Sequence, residues 1–289
     1  MLPGAAQIDF HAIAPLPRLT VGSVRAQLSW PCTEDIVISL PESTDAYMCQ
    51  LGKATRKSIR KHLSRASREL EGFSHRVISG ARLDAEIVRQ IVDFNHARMR
   101  QQGRESAIDE DATRELTGLI RSKGEAGLIV SGERICAGTL ACRIGDDIFS
   151  LVNAHDPAFD FLGLGNLCRH LMIMTAIDAG AQRFHLMGGN LAAKRSTLAT
   201  RQVLHHVSLY RSRLAILGDL GGIAQRTGKA CGFALHCRVE DQLAFAPQSW
   251  ISRCVIALRC LKRFGNTRCR KRPATTPDTT AAACKQQSI

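Results

Sequence analysis

Long apolar runs are missing from this 289-residue chain. No stretch approaches the roughly eighteen apolar residues a membrane span requires. The opening MLPGAAQIDF has neither a charged leading region nor a continuous apolar one, so no signal peptide is expected. The chain has eleven cysteines but no C-x-x-C pair. Cys136/Cys142, Cys231/Cys237 and Cys254/Cys260 are each six apart. That spacing argues against a zinc site, no metal is expected, and reduced cytoplasmic thiols are the plain reading. The dinucleotide fingerprint G-x-G-x-x-G is absent, since residues 163–168 read GLGNLC, and there is no Walker motif. Aromatic residues make up 5% of the chain.

Positive charge is abundant but unevenly placed. The formal net charge is +13. Residues 53–68 hold Lys53, Arg56, Lys57, Arg60, Lys61, Arg65 and Arg68 and no acid, and residues 249–289 hold nine cations against Asp278 alone. The remaining chain is close to neutral. Two basic segments on a neutral body imply negatively charged partners: phosphates, an acidic lipid surface or nucleic acid. The first segment has no aromatics for base stacking, which weighs against nucleic acid.

Periodicity orders the elements. Residues 1–35, punctuated by Pro3, Pro15, Pro17 and Pro31, read as irregular, and 36–40 as a short strand. Helical spacing predicts helices over 44–71, 84–102 and 109–123, the last opening on three acids suited to a helix N-terminus. A strand is predicted at 75–80. Strands at 127–130, 134–144 and 147–155, joined by SGER and GDD turns, read as consecutive hairpins. A helix over 165–179 follows, then strands at 183–187 and 202–212. Residues 213–230 are apolar but broken by glycine. Residues 249–264 form an amphipathic pattern with Trp250 near its start, the make-up of an interfacial helix. The last 25 residues, 265–289, read as a basic disordered tail. This order is α/β (α+β) with a mostly antiparallel sheet. The expected division is a short segment at 1–40, a main domain at 41–212, a helical extension at 213–264 and the tail.

Gly163 and Gly165 stand one residue apart where a helix begins. The first turn of any helix carries N–H groups without internal partners and a partial positive charge. Without Cβ atoms above them, these amides can hold a diphosphate directly. The plainer alternative is a tight turn and nothing more.

Four segments together resemble the GNAT-like acyltransferases, specifically the BioF2-like, cellulose-biosynthesis-associated acetyltransferases, which are distantly Fem-like. They are YMCQLGKATRKSIRKHL (47–63), SGERICAGTLACRIGDDIFSLVNAHDPAF (131–159), DFLGLG (160–165) and AGAQRFHLMGGNLAAK (179–194). The resemblance implies a central, mostly antiparallel sheet with a splayed strand pair for the donor. It implies transfer of an acyl group from acetyl-CoA or another acyl-CoA to an amine or hydroxyl, without a covalent enzyme intermediate. The pantetheine arm would pair with 150–155, including Leu151, Val152 and Asn153, opposite 183–187. The diphosphate would lie on Leu162, Gly163, Leu164, Gly165 and Asn166.

His155 and Asp156 end the strand expected beside the thioester, where a neutral His can take the acceptor's proton. A strand-end His beside an Asp-Pro turn is the plainer reading. Lys194 matches the subfamily's lysine and would stabilise an oxyanion or hold an anionic acceptor. Tyr210, on the long strand with His206 and Ser208 on its face, is the candidate acid for the leaving thiolate. His185 falls in the cleft or on the surface. Cys142 and Cys168 read as core packing. Asp160 stands where the family usually has Gln or Arg, and Ala193 where the subfamily has an aromatic residue. These departures motivate a second reading: a non-catalytic GNAT-like basic accessory protein that binds an acidic membrane surface or nucleic acid. A cytoplasmic location, peripheral to the inner face of a membrane, suits both.

Overall fold

Tight hairpins set the register of half the sheet. Gly132 and Gly145 open two-residue turns with φ of +59° and +61°, a conformation open to glycine and costly for other residues. They join β4 (Gly124–Ser131), β5 (Arg134–Ile144) and β6 (Asp147–His155). The computed structural model describes residues 5–15, 17, 24–188 and 197–245. Two compact units divide the chain, Met1–Leu235 and His236–Ile289. The sheet and the candidate site belong to the first.

With β1 (Gln7–Ile13), β2 (Ala26–Ser39), β3 (Phe73–Ser79), β7 (Arg183–His185) and β8 (Thr200–Tyr210), the strands form one eight-stranded sheet in the order β1-β8-β2-β7-β6-β5-β4-β3. Every pairing is antiparallel except β6 with β7. The mostly antiparallel α/β architecture expected from the sequence is therefore present.

The N-terminal region departs from expectation. Residues read as irregular supply β1 and a fourteen-residue β2. The prolines explain the misreading. Pro31 sits at a register shift between Pro31 and Thr33, where a strand tolerates a missing donor, and Pro15 and Pro17 lie in the β1–β2 connection.

Seven helices are described. α1 (Thr44–Gln50) and α2 (Lys53–Glu69) replace the single helix expected over 44–71, because Leu51 takes an extended ψ of 143°. Arg56 Nη1 closes the break by donating to Cys49 O and Leu51 O, each at 2.8 Å. α3 (Ala85–Gln101) and α4 (Glu110–Lys123) begin at Asp84 and Asp109, whose carboxylates accept from Glu86 N and Ala112 N. α5 (Leu164–Asp178) links β6 to β7, and α6 (Arg213–Gly218) and α7 (Leu220–Phe245) follow β8.

Two apolar layers sandwich the sheet. Tyr47, Ile59, Leu167, Met172 and Ile173 from α1, α2 and α5 pack on Ile36, Ile38, Ile129, Ile148 and Phe184. Val88, Ile91 and Ile120 from α3 and α4 pack on Leu128, Leu140, Val152 and Ala154 of the other face. The helix expected at 249–264 and the tail at 265–289 lie outside the described residues.

Candidate active site

The one parallel strand pair among the described residues is short. Asp147, Ile148 and Phe149 of β6 pair with Arg183, Phe184 and His185 of β7, and there the pairing ends. Beyond this point β7's chain stays with β2, through Leu186 N to Ile36 O at 2.7 Å. β6 stays with β5, down to Ala137 opposite His155. Residues 150–155 therefore lie along a splay, as the sequence led us to expect.

A bulge reorients β6 inside that splay. Val152 and Ser150 oppose the adjacent residues Leu140 and Ala141, so Leu151 is the extra residue. Before it, Ile148 faces α5. After it, Val152 and Ala154 face α3 and α4. Asn153 and His155 are thereby turned toward α5, and Asn153 Nδ2 donates to Gly165 O at 3.1 Å.

The strand ends in a built corner. The Asp156 carboxylate accepts from Ala158 N at 2.9 Å and pairs with Arg134 at 2.7 Å. Asp156, expected as a catalytic residue, is placed as a turn cap and ion-pair partner, with both carboxylate oxygens engaged. A 3₁₀ turn over Pro157–Leu162 leads to Gly163, which adopts φ +66° and ψ 32°.

Both glycines of the turn lie against imidazoles. A Cβ at Gly163 would stand 2.5 Å from His62 Cε1, and one at Gly165 would stand 2.9 Å from His155 Nδ1. His62 Nδ1–H donates to Leu162 O at 2.7 Å. His155 Nε2 lies 2.7 Å from Asp160 Oδ1. Asp160, out of place for a phosphate loop, is thus turned onto His155. No side chain caps α5, and its first internal bond comes from Leu167 N to Gly163 O. The amides of Leu164, Gly165 and Asn166 precede that bond and have no acceptor within the helix.

A cavity of about 210 Å³ adjoins the turn, lined by Thr55, Ser58, His62, Asn166 and His170 among others. His170 lines it, and His170 Nδ1 is hydrogen bonded to the Tyr47 hydroxyl at 3.0 Å. Burial, and then the nearby Arg169 charge, bring the His170 pKa down to about 4, so the ring is neutral. Tyr47 thus serves as a pin between α1 and α5.

Other candidates lie apart from this corner. Tyr210 is on β8, separated from β7 by β2. Its hydroxyl donates to Asp219 Oδ2 at 2.6 Å and accepts from Arg226 at 3.0 Å. The structure does not bring Tyr210, the candidate acid for the leaving group, to the splay. Lys194 lies outside the described residues. His185 is buried at the splay's apex, on the face away from α5, with Nδ1 2.5 Å from Asp35 Oδ2 and its ring stacked on Phe149. Cys142 and Cys168 are buried, as expected of core packing. Burial raises the Cys168 pKa to about 11. Among the described residues no group of three or more His, Cys, Asp or Glu side chains is placed to hold a metal.

Sequence reasoning passed over His62, Asp35, Arg98 and Arg169. One signal was present. Arg98 continues the Ile87, Ile91, Phe94 stripe of α3, where a cation has no business unless something polar meets it.

Residues 53–195 match the family described as Acetyltransferase (GNAT) domain. No curated protein matches the sequence. Among solved structures the chain is similar to FemX, with a TM-score of 0.50 and 11% identity over 64% of this chain and 63% of that one. It thus spans less than two thirds of FemX's length. It is also similar to the C-terminal domain of a putative lysylphosphatidylglycerol synthetase from Agrobacterium fabrum, with a TM-score of 0.47 and 11% identity over 74% of this chain and 70% of that one. At such identity the FemX likeness is one of fold. The match to a GNAT-type acetyltransferase domain thus covers residues 53–195, and the mostly antiparallel sheet, with one parallel pair among the described residues, agrees with it.

Proposed function

We propose that this chain transfers an acyl group from acyl-coenzyme A to an amine or hydroxyl acceptor at the β6–β7 splay. The observation that carries the reading is the parallel pairing that stops at Phe149 and His185, with a bulge at Leu151 and a glycine turn at the far end. The residues suit the donor. The amides of 164–166 and the Cβ-free turn fit a diphosphate, and the length from Leu151 to Asn153 fits an extended arm. When bound, acyl-coenzyme A supplies the thioester whose carbonyl the acceptor attacks. His155, against Gly165, lies at the diphosphate end of the opening in this reading and orders the turn. Asp160 Oδ1 can only accept, so Nε2 carries a hydrogen, and Nδ1 lies beside Gly165. Asp160 thus orients the ring of its neighbour. Lys194 keeps the anion-binding role that the resemblance gives it. The resemblance alone supports an acceptor in cell-envelope or exopolysaccharide metabolism and a cytoplasmic site of action. No described helix is long and apolar enough to cross a membrane.

Thermal melting tests the donor. At 100 times its dissociation constant, acetyl-coenzyme A should add about 2.7 kcal/mol of stability. Absence of any shift with acetyl, longer-chain and dicarboxylic acyl-coenzyme A would end the proposal.

The basic face of α2 favours a second reading as an accessory protein on an anionic surface. Lys53, Lys57, Arg60, Lys61 and Arg68 are exposed, and the one ion pair on this helix is a 4.0 Å contact between Arg65 and Glu69. Salt-sensitive binding to anionic vesicles or to tRNA, with no coenzyme binding, would favour it.

A further inference from the structure

A donor seated as proposed runs in one direction along β6. With its diphosphate on 164–166 and its arm along Asn153 and Leu151, its thioester end points toward Ser150 and Phe149. There the Phe149–His185 pairing closes the opening, so the acyl group stops at the apex. On the α5 side the apex is filled by Ile148, Phe184, Met172 and Ile173. On the opposite side it is walled by Phe149 and His185, whose rings stack with centroids 4.2 Å apart. An acceptor therefore reaches the carbonyl from the face that bears His185.

His185 carries the chemistry of a base at that point. Its Nδ1 lies 2.5 Å from Asp35 Oδ2, and a carboxylate can only accept, so Nδ1 carries a hydrogen. Nε2 is buried without a hydrogen-bond partner among the described residues, and so is Asp35 Oδ1. Asp147 Oδ2 stands 3.7 Å from Nε2, beyond hydrogen-bond reach, and Arg183 holds both Asp147 oxygens, at 2.7 and 2.6 Å. His185 and Asp35 are 6% and 7% exposed. Beside them Asp147, Phe149 and Gln202, the last opposite Asp35 on β8, are half-buried, so the face is not sealed. A purely structural pin between β2 and β7 gains nothing from two buried polar atoms left unbonded. An imidazole fixed by a carboxylate at one nitrogen and unbonded at the other is how a base and its orienter are built.

We propose that His185 Nε2 is the proton acceptor of the transfer and that Asp35 is its positioning residue. The inference rests on the acyl-coenzyme A reading and deepens it. As the acceptor's nitrogen or oxygen bonds to the thioester carbonyl carbon, its proton passes to Nε2. The C–S bond then breaks, its electron pair stays on sulfur, and the proton returns from Nε2 to that sulfur. Coenzyme A leaves as the thiol, and the imidazole is restored. Asp35 comes from β2, outside residues 53–195, so the N-terminal strands supply part of the catalytic machinery.

The test compares the wild-type full chain with His185→Gln and Asp35→Asn. Calorimetry measures acetyl-coenzyme A binding, on which the three proteins should agree within about threefold. Failure of wild type to bind any acyl-coenzyme A ends the donor reading and this inference with it. Binding without the responses expected of His185 counts against this inference alone. NMR of the chain labelled at histidine Cε1 reads the ring, its signal assigned as the one absent from His185→Gln. That signal should move with acetyl-coenzyme A more than with coenzyme A, because the acyl group lies beside it. A signal that responds to neither, or to both alike, overturns the placement. Transfer at neutral pH is measured to ethanolamine, a strongly basic amine that attacks only after losing a proton, and to hydroxylamine, which is already unprotonated. His185→Gln should lose about a hundredfold or more with ethanolamine and less than about tenfold with hydroxylamine. Asp35→Asn should show the same split, smaller in size. A merely structural role would lower both rates alike. Equal losses, unchanged rates in His185→Gln, or a wild type that acetylates neither amine overturn the proposal. Should His185→Gln fail to fold, Asp35→Asn carries the comparison: its shifted ring signal gives the assignment, and equal losses with the two amines overturn the proposal.

Discussion

Gly163 and Gly165 show how one residue type serves two ends. In the sequence both read as bare amides for an anion. In the fold each also makes room for an imidazole, His62 at one and His155 at the other. Gly163 bears a backbone term as well, with φ at +66°. Gly163→Ala should therefore cost about 1 kcal/mol for the left-handed backbone, plus a packing penalty. Adding His62→Ala to that variant should return the packing part and leave the backbone part, a difference that denaturant unfolding can read. If the second substitution returns nothing, the imidazole is not what the glycine accommodates. His170 gives a residue-scale pH dependence. Its folded pKa of about 4 lies below the unfolded 6.5, so the unfolded chain binds the extra proton between those values. This contribution to stability is full above about pH 6.5, falls as the pH drops toward 4, and amounts to about 3 kcal/mol at most. His170→Phe removes the titrating group, so its stability should fall less than wild type's over that range. Parallel losses in the two proteins would contradict the assignment.

Among the elements, those written in local chemistry were legible from the sequence and those written in long-range contact were not. The β4–β5–β6 hairpins follow from Gly132 and Gly145. The starts of α3 and α4 follow from Asp84 and Asp109. The splay's position follows from the Asp-Pro strand end and the glycine turn. β1 and most of β2 escaped because proline marks them as irregular, while their stability comes from β8, 176 residues away at the Trp30–His206 pairing. Tyr210's distance from the splay was not legible, because alternation gives a side chain's face but not its strand's neighbours. His62 was one more polar residue on a basic helix until its ring was set against Gly163. α2 itself is the element with a prediction to meet. Lys57 and Lys61 are exposed near the cavity that adjoins the glycine turn. Lys57→Glu with Lys61→Glu should weaken acyl-coenzyme A binding severalfold at about 50 mM salt and have little effect at about 0.5 M, where screening is short-ranged. An unchanged low-salt affinity would separate α2 from the donor site.

At the scale of the molecule, β7 is the hinge of the design. It binds β6 over three residues and then follows β2, and that divergence opens the sheet. β2 belongs to the N-terminal strands, which lie outside the matched residues 53–195. The splay thus depends on both parts of the chain. The central claim is that the donor occupies this opening, with its arm along β6 and its diphosphate on the first turn of α5. Amide hydrogen exchange with and without saturating acetyl-coenzyme A tests it most directly. The account predicts slowed exchange confined to 151–155 and 164–166. Binding that leaves those amides unprotected, or protects β8 instead, would contradict it.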